Sequence, residues 1–287
     1  MQTLDTNRVI TFTCPDSSGL VAEISTFLAQ ENVNITEANH HTETQTGEAL
    51  LRFSFKELGT VKTIDEWREK GKYLEKKFKG TLNVYDVSHP MKVVIAVSKF
   101  GHCLQDLILR TQSGALPIEI CAVVSNHETW RSFVEWADIP FHYVPMEKGK
   151  KQEQEAQIRA IVENSEAELL ILARYMQILS KEMCAEFNGK AINIHHSFLP
   201  SFKGAKPYSQ AHEKGVKIIG ATAHYVTTDL DEGPIIEQSI ERVDHSVSVE
   251  EFMNIGRDTE SIALNRAVRW HAERRVLLSG KRTVVFQ

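Results

Sequence analysis

A nearly continuous apolar run about a third of the way along the chain limits the fold most strongly. The run is Lys92-Val-Val-Ile-Ala-Val97, and strands buried on both faces of a parallel sheet have this composition. Strand-like and helix-like segments alternate after it, in lengths that suit βαβ units. The pattern predicts an α/β domain with a mostly parallel sheet, and such sheets bind ligands at the carboxyl ends of their strands.

The N-terminal third has a different order of elements. Four strand-like segments enclose two helix-like segments, with the strands near residues 9–13, 32–41, 48–55 and 81–87. The order βαββαβ predicts a four-stranded antiparallel sheet backed by two helices, the ferredoxin-like arrangement. We expect Ser17 or Ser18 to cap the first helix. Ser88-His89-Pro90 is a short linker, so the predicted domains are residues 1–87 and 88–287.

Composition and charge restrict the partners of the chain. The 287 residues carry a net charge of −5 without a long basic run, so we expect no nucleic-acid partner. No apolar segment reaches a membrane-spanning length, and residues 1–5 lack the pattern of a secretion signal, so we expect no membrane partner. The four cysteines are scattered without Cys-x-x-Cys spacing, which is typical of free thiols in a reducing cytoplasm. We therefore expect a cytoplasmic protein.

Residues 191–234 combine an amide, imidazoles and a carboxylate with glycine and proline. Side chains alternate along a strand, so Asn193 and His195 should share one face, roughly 6–7 Å apart, with His196 on the other. The strand ends soon after His196, which leaves the pair at a carboxyl end. A second strand leads into Asp231-Glu-Gly-Pro234, which can bring a carboxylate to the same crevice.

These three groups suit attack on a carbonyl carbon through a tetrahedral intermediate. Asp231 can orient His195 or raise its basicity, His195 can move a proton near neutral pH, and Asn193 can donate a hydrogen bond to an oxyanion. Ser197 lacks the Gly-x-Ser-x-Gly turn of a nucleophilic serine. The predicted nucleophile is therefore water or a substrate amine.

The residues alone leave other interpretations open. A lone histidine at a strand end is often only structural. His195, His196, His224 and Asp231 could instead hold a metal ion, although two adjacent strand residues cannot easily share one ion, and we expect no metal. Cys103, at a predicted helix start, could be a reactive thiol, although a structural cysteine is the more common case.

Residues 14–22 and the segment Asn32-Val-Asn-Ile35 resemble the ACT domain family. Members of that family commonly bind small amino acids at subunit interfaces and regulate an attached enzyme. The resemblance therefore implies a homo-oligomer whose first domain binds a small amino-acid effector such as glycine or methionine. A tight turn without an effector is the alternative. The implied effector-binding residues are Asp16, Gly19, Leu20 and Asn34.

From Lys92 onward the chain resembles the folate-dependent formyltransferases. Asn193-Ile-His195 and Asp231-Glu-Gly-Pro234 match the catalytic Asn-x-His and Asp-x-Gly-Pro motifs of that family. The resemblance implies a Rossmann-like formyltransferase fold for residues 88–287, with Asn193, His195 and Asp231 as catalytic residues. Residues 172–179 match the segment that lines the pterin pocket, and His224 matches a histidine before the second motif. The implied substrate-binding residues are Arg174, Met176, Gln177, Ile178, Leu179, His224, Thr227 and Leu230.

The two domains together resemble the formyltetrahydrofolate deformylase family. This implies hydrolysis of 10-formyltetrahydrofolate to tetrahydrofolate and formate without a cofactor, which supplies formate for purine synthesis and balances the one-carbon folate pool. Where transferases have a phosphate-binding loop rich in small residues, residues 98–105 keep one glycine and include Phe100. His196 stands where the transferases usually have proline. Formyl transfer to an amine such as glycinamide ribonucleotide and a non-catalytic amino-acid sensor remain the alternatives.

Overall fold

The computed structural model describes residues 7–199 and 207–287, which form two compact units. One unit contains the chain up to Pro90 together with residues 273–287, and the other is Met91–Ala272. The predicted second domain, 88–287, differs from this division at its end, because the last 15 residues pack with the first unit. None of the described helices is long and apolar enough to cross a membrane.

The first unit contains the antiparallel sheet that the sequence predicted, in the strand order β2-β3-β1-β4. Its elements are β1 (Asn7–Pro15), α1 (Leu20–Gln30), β2 (Val33–Glu43), β3 (Glu48–Glu57), α2 (Ile64–Phe78) and β4 (Thr81–Asp86). The order βαββαβ is confirmed. The predicted serine cap of α1 is wrong, because Gly19 precedes Leu20 with φ of 84° and no side chain caps the helix. Glycine adopts this left-handed conformation without the penalty of a Cβ atom.

The second unit is built around a seven-stranded sheet in the order β11-β10-β9-β8-β5-β6-β7. Its elements are β5 (Met91–Val97), α3 (His102–Gln112), β6 (Ile118–Ser125), a 3-10 turn (Glu128–Trp130), α4 (Arg131–Trp136), β7 (Phe141–Tyr143), α5 (Lys151–Asn164), β8 (Leu169–Leu172), α6 (Lys181–Glu186), β9 (Ala191–His195), α7 (Pro207–Glu213), β10 (Ile218–Tyr225), β11 (Ile235–Arg242) and α8 (Val249–Ala272). Strands β5 to β9 pair in parallel, whereas β10 is antiparallel to both β9 and β11. The predicted mostly parallel α/β domain is confirmed.

The apolar run of the sequence becomes β5, an interior strand of this sheet between β8 and β6. Residues 93–97 in β5 are completely buried, because helices cover both faces of a parallel sheet. A capping box precedes α8: the Glu251 amide donates to Ser248 Oγ at 3.2 Å, and the Ser248 amide donates to the Glu251 carboxylate at 2.8 Å. Capping fixes the start of the helix that later supplies a buried carboxylate to the site.

A C-terminal hairpin completes the first unit. It consists of β12 (Val276–Ser279) and β13 (Arg282–Val285). Arg52 donates hydrogen bonds to the carbonyl oxygens of Glu273 and Arg274 at 2.9 and 3.1 Å, and the side chains of Leu50, Leu277 and Phe286 form a buried cluster. These contacts explain why the end of the chain belongs to the first unit.

Candidate active site

A cavity of about 220 Å³ lies at the carboxyl ends of β8 and β9, the end of the sheet where the sequence predicted a ligand site. The structure brings all of the predicted catalytic and substrate-binding residues to its lining, and their roles remain predictions. These lining residues are Asn193, His195, Asp231, Arg174, Met176, Gln177, Ile178, Leu179, His224, Thr227 and Leu230.

Strand pairing positions the amide of Asn193. Because β10 runs antiparallel to β9, His224 lies directly opposite Asn193, and Asn193 Nδ2 is 3.2 Å from His224 Nε2. The other ring nitrogen, Nδ1, is 2.9 Å from the carbonyl oxygen of Tyr225. A carbonyl only accepts, so Nδ1 carries the proton and Nε2 accepts from the Asn193 amide. Burial lowers the pKa of His224, which favours this neutral form.

The carboxylate of Asp231 faces two imidazoles. Its Oδ2 atom is 3.3 Å from His195 Nδ1, and its Oδ1 atom is 3.8 Å from His224 Nε2. The hydrogen bond from His195 holds the pKa of Asp231 below its ordinary value, so this carboxylate is ionised at neutral pH. Asp231 has φ of 57°, a left-handed conformation that aspartate tolerates better than most residues. The expected convergence of Asn193, His195 and Asp231 is therefore present.

The glycine of the Asp-x-Gly-Pro motif permits a close approach of two backbone segments. A Cβ atom on Gly233 would lie 1.7 Å from the carbonyl oxygen of Tyr225. The Tyr225 amide in turn donates to the carbonyl oxygen of Pro234 at 2.9 Å. The motif thus folds against the end of β10, which holds Asp231 close to His224.

His196 does not point away from His195 as predicted. The two rings stack with centroids 4.8 Å apart and planes at 29°. The prediction failed because β9 ends at His195, and strict alternation of side chains stops where a strand ends. Burial, together with the positive charge of Arg174, lowers the pKa of His196 to about 4, so its ring is neutral at neutral pH.

A buried carboxylate that the sequence analysis missed lies behind this ring stack. Glu260 in α8 is 1% exposed, and it accepts from Tyr208 Oη at 2.6 Å, from His102 Nε2 at 2.7 Å and faces Arg174 Nε at 3.3 Å. Burial acts to raise the pKa of Glu260, but the hydrogen bond from His102 and the charge of Arg174 outweigh it and lower the pKa. The buried residues of α8 also include Thr259 and Asn265, so Glu260 had no distinctive signal in the sequence.

His102, Cys103 and Glu260 also place their ligand atoms within 4.8 Å of one another. Such a group can hold a metal ion, but Glu260 already faces the Arg174 guanidinium and accepts from Tyr208. Burial raises the pKa of the Cys103 thiol, which is 1% exposed. A protonated, enclosed thiol is a poor ligand and a poor nucleophile, so Cys103 is structural.

The Trp130 ring packs against the segment 98–105 at Gly101. A Cβ atom on Gly101 would lie 2.1 Å from the Trp130 ring, and Trp130 Nε1 donates to the carbonyl oxygen of Lys99 at 3.1 Å. The Phe100 ring lies 5.7 Å from the Arg174 guanidinium. The Trp130 indole therefore lies directly against the loop backbone at Gly101.

The four implied effector-binding residues do not form one site within a chain. Asp16 and Gly19 follow the end of β1, whereas Asn34 is at the start of β2. Both strands pair antiparallel with β3 and so run in the same direction, which puts the two groups about 30 Å apart. The side chain of Leu20 is 2% exposed and belongs to the core of the first unit, and its part in effector binding stays a prediction.

Comparisons with known proteins agree with this two-unit construction. The formyl transferase family matches residues 91–268, and the ACT domain family matches residues 8–71. Formyltetrahydrofolate deformylase from Corynebacterium sp. (strain P-1) is 47% identical over 280 residues, with 98% of each chain covered. The Bacillus subtilis deformylase is 45% identical, with 95% of this chain and 91% of the relative covered.

Solved structures of deformylases match nearly the whole chain, whereas a solved transformylase matches a smaller part of it. The deformylase from Burkholderia mallei superposes with a TM-score of 0.93 at 45% identity, covering 98% of this chain and 100% of the other. Glycinamide ribonucleotide transformylase 1 from Symbiobacterium toebii reaches a TM-score of 0.65 at 28% identity, covering 71% of this chain and 98% of the other. The chain belongs to the formyl transferase family, in the group of its formyltetrahydrofolate deformylases.

Proposed function

We propose that this protein hydrolyses 10-formyltetrahydrofolate to tetrahydrofolate and formate. The observation that carries the proposal is the convergence of Asn193, His195 and Asp231 on one cavity. The relatives named as deformylases match nearly the full length of the chain. The similarity that supports the proposal therefore includes both units and not only one domain.

The ionised carboxylate and the imidazole activate the nucleophile. Asp231 and His195, 3.3 Å apart, position a water molecule, and the Asp231 carboxylate takes up its proton. The new C–O bond forms as the formyl C=O becomes an oxyanion. The C–N bond then breaks, N10 of the folate takes one proton, and formic acid releases another to solvent as formate. Water thus supplies all the atoms that the products gain.

Asn193 and His195 stabilise the oxyanion. One N–H of the Asn193 amide donates to His224 Nε2, and the second N–H remains to donate to the former formyl oxygen. Protonated His195 supplies a second donor to the same oxygen. A donor fixed by a neighbouring strand is oriented before the charge develops, which is the condition under which such donors accelerate reactions most.

Transfer to a phosphorylated amine is the second candidate, and the loop at 98–105 weighs against it. Main-chain amides at a helix start hold phosphate when a ligand can approach them. Here Trp130 packs on Gly101, and Phe100 lies beside Arg174. The more similar relatives also bear the deformylase name, while the transformylase match covers 71% of the chain.

Regulation and assembly follow from the ACT unit as proposals. Asp16 and Asn34 belong to opposite ends of one sheet, so an effector site that uses both needs two chains, and we propose a homo-oligomer with glycine or methionine bound between first units. All four cysteines are free thiols, which fits a cytoplasmic enzyme. The reaction as written needs neither a metal nor a cofactor.

The test is to incubate the purified protein with 10-formyltetrahydrofolate alone, with and without EDTA, and to measure formate and tetrahydrofolate. We expect stoichiometric release of both, unchanged by EDTA. Release that begins only when glycinamide ribonucleotide is added would establish a transferase instead. No turnover under any condition would favour the non-catalytic sensor.

Effector binding needs a separate measurement. Titration of the protein with glycine and with methionine, followed by calorimetry and by hydrolysis rate, should give heat and a rate change with one of them. Absence of both effects with both amino acids would remove the regulatory part of the proposal.

A further inference from the structure

Glu260 is a buried ionised group that the proposed reaction does not use. Its side chain is 1% exposed and takes three polar partners from three other segments of the second unit. Enclosing a carboxylate is unfavourable unless cations and donors compensate for the lost water. The three partners lie beside the proposed catalytic residues, which indicates that the Glu260 carboxylate fixes the positions of those partners.

We propose that Glu260 is a positioning residue for the hydrolysis, which holds Tyr208 and Arg174 so that the His196 ring stays stacked on His195 and the positive charge beside that stack is balanced. The proposal rests on the hydrolytic function above. It assigns Glu260 no contact with the substrate.

The positional part of the argument follows a chain of ring contacts. Tyr208 Oη donates to Glu260 Oε1 at 2.6 Å, and the Tyr208 ring packs so closely on Gly256 that a Cβ atom there would lie 2.3 Å away. The Tyr208 and His196 ring centroids are 6.3 Å apart, and His196 stacks on His195 at 4.8 Å. Loss of the Tyr208 hydrogen bond therefore frees a ring that supports the catalytic imidazole.

The electrostatic part depends on Arg174. This residue follows β8 with φ of 62°, a conformation that a non-glycine residue adopts only when its surroundings hold it. Its side chain is 10% exposed, lines the cavity, and faces Glu260 at 3.3 Å. Without the carboxylate, an enclosed guanidinium would stand unopposed near the two imidazoles.

Among the residues that the structure describes, the charged and titratable groups near His195 and the stacked His196 come from several elements of the second unit. They are Asp231 from the β10–β11 connection, His224 from β10, His196 after β9, Arg174 after β8, Tyr208 from α7, His102 from α3 and Glu260 from α8. Glu260 and Asp231 are the anions among them, and Arg174 is the permanent cation. Removing the charge of Glu260 therefore disfavours a positive charge on His195, and removing that of Arg174 favours it.

The decisive experiment compares Glu260→Gln with Arg174→Gln in the full-length protein. The reaction needs protonated His195, so turnover falls on the alkaline side when that proton is lost. With saturating 10-formyltetrahydrofolate, we expect the alkaline limb of the kcat profile to move about half to one pH unit lower in Glu260→Gln and to move higher in Arg174→Gln. KM of Glu260→Gln should stay within about threefold of wild type, because Glu260 does not touch the folate.

Glu57→Gln is the matched control. The Glu57 side chain is equally buried, at 1% exposure, and pairs with Arg8, but it lies in the first unit. We expect this variant to lose stability without any movement of the alkaline limb. If Glu260→Gln does not fold, the inference is tested with Tyr208→Phe and Arg174→Gln. Tyr208→Phe removes one hydrogen bond to Glu260 without changing a charge, so it should lower kcat at unchanged KM.

Three results would overturn the inference: limbs of Glu260→Gln and Arg174→Gln that stay at the wild-type pH, limbs that move in the same direction, or Tyr208→Phe with wild-type kcat. A uniform loss of kcat at every pH in Glu260→Gln would mean that Glu260 is only structural. Failure of the proposed function is distinguishable from these results, because then the wild-type protein itself releases no formate.

Discussion

Replacement of Gly233 by alanine should impair catalysis through the position of Asp231. Gly233 does not have a positive φ, so its backbone conformation does not require glycine. Space does, because the new Cβ atom would lie 1.7 Å from the carbonyl oxygen of Tyr225. The obstacle is backbone at the end of β10 and not the end of a flexible side chain.

The expected size of the effect follows from that distance. Real Cβ atoms stay beyond about 3.0 Å from other heavy atoms, so the segment must retreat by about 1.3 Å in a close-packed interior. Asp231 is two residues away and 3.3 Å from His195, and a shift of that size breaks the hydrogen bond. Misplacement of a reacting group by about 1 Å costs about 10²-fold in rate, which corresponds to about 2.7 kcal/mol of barrier.

The assay is formate release at saturating 10-formyltetrahydrofolate, with folate binding and thermal unfolding measured beside it. Gly114→Ala is the control: Gly114 has φ of 71° and nothing within 4 Å of its Cβ position, so alanine there should cost about 1 kcal/mol of stability and no activity. A folded Gly233→Ala protein with kcat within a few-fold of wild type would refute the argument that this contact sets the position of Asp231.

Three further predictions concern the carboxylate, a neutral histidine and the first core. Asp231→Asn should lower kcat by about 10³–10⁴-fold while folate still binds, and near-normal formate release would contradict the assigned role. Burial lowers the pKa of His196 to about 4, whereas the unfolded chain protonates it near pH 6.5. The contribution of neutral His196 to the free energy of unfolding is therefore fully present above pH 6.5 and is lost as the pH drops towards 4. Denaturant titrations at pH 7 and 4.5 should show that the loss of unfolding free energy between these pH values is about 2–3 kcal/mol smaller in His196→Gln than in wild type. Trp67 is fully buried against Phe27 and Phe55, so Trp67→Ala should destabilise the first unit by about 3–5 kcal/mol, and hydrogen exchange should accelerate in β3 and not in β5.

The fold was predictable where neighbouring residues decide the structure. The apolar composition of residues 92–97 predicted the buried strand β5, and the order of elements in the first unit predicted its four-stranded antiparallel sheet. The start of α1 was mispredicted because Gly19 in a left-handed conformation replaced the serine cap. The return of residues 273–287 to the first unit was not foreseen, since Arg52 binds carbonyl oxygens more than 200 positions away, and backbone acceptors leave no trace in a sequence.

The site was predictable to the extent that it consists of motifs. Asn193 and His195 share a face because they are two positions apart in a strand, and strand alternation is a local rule. The same rule failed one residue later, at His196, because the position where β9 ends depends on the course of the chain after it. The pairing of Asn193 with His224 was beyond the sequence, because it depends on the register of β10 against β9.

Glu260 marks the limit of this kind of reasoning. Its partners His102, Arg174 and Tyr208 are 158, 86 and 52 positions away along the chain, and none of the four belongs to the Asn-x-His or Asp-x-Gly-Pro motif. A glutamate at a buried position of a helix is unfavourable by itself, and it is explained only when the donors that compensate its burial are known. Motifs reveal the groups that react, whereas the buried charges that orient them are found by asking which enclosed polar atoms need a partner.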